Sequence, residues 1–98
     1  MLRDFFLGIL KVHILYQANR SPVFGKGLMQ ELSRHGYHVS PGTLYPILHG
    51  LEREKLLKSY PEKVKGKVRR YYQTTSRGSQ ALSYAQSKIS ELVQEILS

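Results

Sequence analysis

The apolar period of this chain changes from 3.6 residues to 2 after Leu57 and returns to 3.6 near Thr75. The segments "LLKSYPEKV" and "VRRYYQTT" flank "KVKGK", so the middle of the chain reads as a β-hairpin with Gly66 at its turn. Pro61 has no N–H to donate, which confines its strand to a sheet edge or a strand end and keeps the sheet small. A hairpin set between helices leaves few ways to close a core. The 98 residues suffice for one domain and not for two.

Around the hairpin the helical spacing is clear. Residues 3–19 predict a helix whose apolar positions, Phe5, Phe6, Ile9, Leu10, Val12, Ile14 and Leu15, run almost all the way round. Such a helix is buried on more than one side. "NRSP" breaks it. A second helix is expected from about Phe24 to His35, burying Leu28, Met29 and Leu32, with Gly36 at the C′ position. A short link at 37–39 leads to a third helix over roughly 41–56, with Leu44, Ile47, Leu48 and Leu51 at i, i+3, i+4 and i+7. The last helix starts near Thr75, a good N-cap, and runs to the C-terminus.

The net charge is +8, and its distribution is uneven. Residues 39–78 carry nine Lys/Arg against three Asp/Glu, whereas residues 79–98 carry one against two. A basic middle is what a face directed at a polyanion requires. The chain has no cysteine, which excludes disulfides and cysteine zinc sites and makes an intracellular location the default expectation. "FFLGILKVHIL" is interrupted by Lys11 and His13 and is too short and polar to span a membrane. A cytoplasmic protein without membrane attachment is expected.

The order helix, helix, helix, hairpin, helix predicts a mainly α fold with a small β-hairpin. It is that of a winged helix-turn-helix plus one C-terminal dimerisation helix. The stretch "SPGTLYPILHGLEREKLL", followed by a charged hairpin ending in "RRYYQTTSRGSQAL", resembles the PadR family of bacterial and archaeal transcriptional regulators. The resemblance covers residues 3 to about 85 and is strongest in "GTLYPIL" and in Tyr71, Tyr72, Thr75 and Gly78. It implies a winged-helix DNA-binding domain over 1–77 and a single dimerisation helix over 78–98, packed as one unit. It also implies a regulator, most often a repressor. Lys55 departs from the pattern, which places Gly before the leucine; only the end of the third helix is affected.

Within the third helix, Ser40 is the expected N-cap, its hydroxyl accepting from a free N–H, and Pro41 takes N1, where its missing N–H costs nothing. The face opposite the leucines is Gly42, Pro46, His49 and Arg53, flanked by Thr43 and Tyr45. It carries no acid, and its small N-terminal end suits a major groove, where helix N-termini meet base edges. The hairpin adds Lys63, Lys65, Lys67, Arg69 and Arg70, five cations in eight residues, as phosphate partners. Strand alternation places Tyr72 in the core on the same face as Val68 and Arg70.

The last helix repeats Leu82, Ala85, Ile89, Leu92 and Ile96 at alternating three- and four-residue spacing, with Val93 beside them. Together with the spare apolar face of the first helix (Phe5, Phe6, Ile9), this predicts a homodimer. Phe5, Phe6, Tyr16 and Tyr84 are read as core rather than as a ligand site.

His35 and His38 straddle Gly36 without a third ligand, so no metal and no cofactor is expected. The serines lack a His/Asp arrangement, "KGK" lacks the rest of a phosphate-binding loop, and no enzyme is expected. The expected partners are double-stranded DNA and a second copy of the chain. Two other readings stay open. One is a winged-helix module that binds an acidic protein; the other is a regulator sensing a small-molecule effector at the dimer interface.

Overall fold

The computed structural model describes residues 1–98. Its elements are α1 (Leu2–Arg20), β1 (Val23–Phe24), α2 (Gly25–Arg34), α3 (Pro41–Arg53), β2 (Leu57–Val64), β3 (Lys67–Thr74) and α4 (Ser76–Leu97). Three antiparallel strands form one sheet in the order β1-β3-β2, which leaves β2, with Pro61, at an edge. The hairpin turn has two residues, Lys65 and Gly66, at φ 51 and 79. Positive φ at both positions is the geometry that continues the right-handed twist of the strands.

β1 departs from the expectation. "SPVF" reads as punctuation followed by helix, yet Val23 and Phe24 pair with Tyr72 and Tyr71, and α2 starts one residue later than predicted. Two residues carry no period, so only the partner strand reveals them.

The core draws on nearly every element. Leu10, Ile14, Leu15 and Ala18 come from α1, Leu28 and Leu32 from α2, and Leu44, Leu48 and Leu51 from α3. Leu57, Tyr72 and Leu82 complete it from β2, β3 and α4. Tyr72 is only 2% exposed, as strand alternation requires. The Thr74 hydroxyl donates to the Leu15 carbonyl at 2.9 Å and ties the end of β3 to α1.

Helix ends set the path between these elements. At the end of α2, Gly36 N–H donates to Ser33 and Tyr37 N–H to Leu32, with Gly36 at φ 88. This is the Schellman ending expected of a C′ glycine. α3 stops at Arg53, short of the predicted residue 56, by the same device: Lys55 N–H donates to Glu52 and Leu56 N–H to Leu51. Here the left-handed residue is Lys55, at φ 64. A Cβ at that φ is penalised, and Lys55→Gly is expected to raise unfolding stability by about 0.5–1 kcal/mol, after allowance for the freer unfolded glycine. Urea denaturation of the two proteins at equal concentration measures it; an unchanged or lower midpoint would show the position to be unstrained.

α4 begins on Thr75 as predicted. Its hydroxyl oxygen accepts from Gly78 N–H at 3.0 Å and donates to the Lys55 carbonyl at 2.6 Å. Thr75 N–H donates in turn to the Leu56 carbonyl at 3.1 Å. One residue thus caps α4 and ties it to the end of α3. The first two turns of α4 belong to the core through Gly78 and Leu82, and the remaining turns extend away from it, giving a particle 53 × 28 × 20 Å.

Candidate nucleic-acid interface

α3 enters its first turn through Ser40 and Pro41. Ser40 caps with its backbone only: its carbonyl accepts from Thr43 and Leu44 N–H at 3.0 and 2.9 Å. Its hydroxyl donates to Thr43 Oγ1 at 3.4 Å rather than accepting from an amide, a correction to the expected side-chain cap. The early bond to Thr43 N–H takes up the donor that the hydroxyl would have met. Gly42, Pro46, His49 and Arg53 are all exposed along the outward face, with Ser40 beside them at its start. A Cβ built at Gly42 would meet nothing closer than Ser40 Oγ at 3.7 Å. The chain's own packing therefore makes no demand for glycine there.

Tyr45 is half-buried because it lies over the N-terminus of α2. A Cβ at Gly25 would collide with its hydroxyl and ring, so Gly25 is what admits the tyrosine. Its ring lies 6.2 Å from that of His49. α2 begins without a side-chain cap, leaving amide donors at an end that also carries the exposed Lys26. Such an end favours anions. Sequence reasoning missed Lys26; its signal was the run "FGKGL", which offers no capping side chain.

The hairpin cations divide into two groups. Lys63, Lys65 and Lys67 are exposed around the turn. Arg69 stacks its guanidinium 4.4 Å from the centre of the Phe24 ring, next to a row in which Phe24, Tyr71 and Tyr60 cross the sheet. Arg70 is on the other face and donates to Ser59 Oγ at 3.0 Å. A groove of about 330 Å³ separates α2 and α3 from the hairpin; Lys26, Tyr45, Lys67, Arg69 and Arg70 line it.

At the far end of the molecule, apolar side chains stand in solvent on the single chain. Phe5 is 63% exposed, Leu92 51% and Ile96 66%, with Phe6, Ile89 and Val93 less so. Phe5, Ile9, Ala85 and Ile89 line one groove between α1 and α4. Leu82 corrects the expected seam: at 3% exposure it belongs to the core of its own chain, where the start of α4 packs on α1 and the sheet. Phe5, Phe6, Tyr16 and Tyr84 are exposed rather than core, since all four sit outside the closed layer of leucines. Leu2 and Leu97 are exposed as well, two end residues that the periodic stripe did not single out.

His35 lies 4.7 Å from His13, ring centre to ring centre, and Tyr37 packs edge-on against His13. Burial, then the neighbouring His35, lowers the His13 pKa, with Glu31 opposing. No three His, Asp or Glu side chains gather as metal ligands. No helix is long and apolar enough to cross a membrane.

Residues 14–84 match the model of the transcriptional regulator PadR-like family. The chain belongs to the PadR family. The transcriptional regulator Rv3488 of Mycobacterium tuberculosis is 47% identical over 96 residues, which are 98% of this chain and 90% of that protein. The crystal structure of a PadR family transcriptional regulator from Eggerthella lenta superposes with a TM-score of 0.84 at 31% identity, covering 98% of this chain and 85% of the other. A PadR-like transcriptional regulator from Bacillus cereus gives 0.78 at 32% identity, over 92% of both chains. The PadR fold is the predicted winged helix-turn-helix with one helix appended, and the protein is a transcriptional regulator.

Proposed function

We infer that this PadR-family regulator is a homodimer that binds double-stranded DNA sequence-specifically and acts as a repressor. α3 enters the major groove and the hairpin lies on the phosphates as a wing. The observation that carries this reading is the shared groove. Tyr45 on the flank of α3, the uncapped start of α2 with Lys26, and Lys67, Arg69 and Arg70 of β3 line one concave strip. Gly42, Pro46, His49 and Arg53 stand exposed on the outward face of the same α3. Base edges call for the small, exposed Gly42, Pro46, His49 and Arg53, and phosphates for the lysines around Gly66. Phe5, Phe6, Ile9, Ala85, Ile89, Leu92, Val93 and Ile96 would join two copies, presenting two α3 helices roughly 34 Å apart, one turn of DNA.

Salt titration of binding to duplex DNA tests the electrostatic part. If each protomer neutralises about four phosphates, log affinity falls against log salt with a slope near −7. Lys65→Ala combined with Lys67→Ala removes about four of those contacts per dimer and is expected to flatten the slope by roughly three units. Preference among sequences stays as it was. A wild-type slope near zero would contradict the reading and favour an acidic protein as the partner of the basic face.

A further inference from the structure

Arg70 carries one of the five hairpin charges and is exposed, but its guanidinium is bonded along the sheet. Its Nη1 donates to Ser59 Oγ at 3.0 Å, and the same hydroxyl donates to Glu52 Oε2 at 2.6 Å. Glu52 is on the last turn of α3, Ser59 on β2 and Arg70 on β3. Ser59 pairs with Tyr72 and Pro61 with Arg70, so Ser59 and Arg70 are diagonal neighbours on the core-facing side. Tyr72, buried between them and the core, registers both charges: burial first, then the Glu52 carboxylate, raise its pKa, and Arg70 opposes. No other side-chain hydrogen bond joins the hairpin to α3. The remaining contacts between the hairpin and α3 are apolar, with Leu57 and Tyr72 packed in one core with Leu44, Leu48 and Leu51, and they carry no directional bond.

We propose that Glu52, Ser59 and Arg70 form a clamp that fixes the hairpin at one angle to α3, making Arg70 a positioning residue rather than a phosphate contact. The consequence for recognition rests on the DNA-binding reading above: α3 and the wing must meet one duplex at once, and their relative angle decides which register does so. The clamp also explains an acid on α3. Glu52 is held against the sheet by Ser59, whereas a free carboxylate on a DNA-facing helix would repel phosphate.

Ser59→Ala separates the two accounts because it alters no charge. Binding to a mapped operator and to an unrelated duplex is measured across salt concentrations, with thermal melting to confirm folding. The clamp predicts that Ser59→Ala loses about ten-fold in operator affinity, the scale of a charge-assisted hydrogen bond, with an unchanged salt slope. Glu52→Gln also loses operator affinity although it makes the protein more positive, and Arg70→Lys recovers part of what Arg70→Ala loses. In the free protein, NMR order parameters of the Val64–Val68 amides fall in Ser59→Ala. The clamp is overturned if Ser59→Ala keeps wild-type affinity and order parameters. It is equally overturned if Glu52→Gln binds more tightly, or if Arg70→Ala flattens the salt slope on both duplexes by about one unit per protomer, the signature of a phosphate contact. Wild-type protein that shows no salt-dependent DNA binding would sink the functional reading instead. The order parameters then decide the clamp alone.

Discussion

Leu92→Asp is expected to leave a folded chain that sediments as a monomer and binds operator DNA at least a hundred-fold more weakly, on the order of the loss of one half-site. Leu92 is 51% exposed on the single chain, so the substitution removes little of the protomer's own core. In a two-fold dimer the same patch meets itself, and each aspartate would sit in the seam beside Ile89, Val93 and Ile96. Desolvating two unpaired carboxylates costs several kcal/mol, about a thousand-fold or more in dimer dissociation constant. Analytical ultracentrifugation at micromolar concentration, alongside circular dichroism, measures it. Wild-type protein that is already a monomer would contradict the dimer, as would a Leu92→Asp variant that stays dimeric.

Gly78→Ala should be the most damaging small substitution in the fold. Alanine is the better helix former by about 1 kcal/mol, and at an exposed position it would stabilise α4. At Gly78 the new Cβ would run into the Leu56 carbonyl and the Thr74 methyl. The carbonyl cannot retreat, because it accepts from Thr75 N–H in the contact that joins α4 to the end of α3. Overpacking against fixed backbone outweighs the propensity gain, and a net loss of about 2 kcal/mol is expected, near 10 °C in Tm for a chain of this size. Calorimetry at fixed protein concentration checks it; an equal or higher Tm would mean that the helix start can shift.

Where a feature repeats or ends an element locally, the sequence shows it. The period change at Leu57 marked the hairpin, Gly36 and Thr75 marked helix ends, and alternation placed Tyr72 inside. What escaped depends on distant partners. β1 is two residues long and exists because β3 offers a free edge. Leu82 has the same spacing as the rest of its stripe, but Gly78 draws the start of α4 onto the core, so the stripe divides between core and surface. Ser40 is in the right place, yet its hydroxyl loses its donor to its own carbonyl. The candidate site follows the same division. The outward face of α3 was legible from helical geometry. The tie of Arg70 to Ser59 was not, since it depends on Ser59 and Glu52, 11 and 18 positions away in the chain.

The central claim is that α3 reads sequence while the wing holds phosphate. Binding curves for wild type, His49→Ala, Arg53→Ala and the Lys65→Ala/Lys67→Ala pair, on a mapped operator and all its single-base variants at fixed salt, test it most directly. The account predicts that His49→Ala or Arg53→Ala relaxes preference at particular base positions by about 1–3 kcal/mol. The lysine pair should weaken every duplex alike. Uniform losses from the α3 variants, with altered preference from the lysine pair, would contradict it.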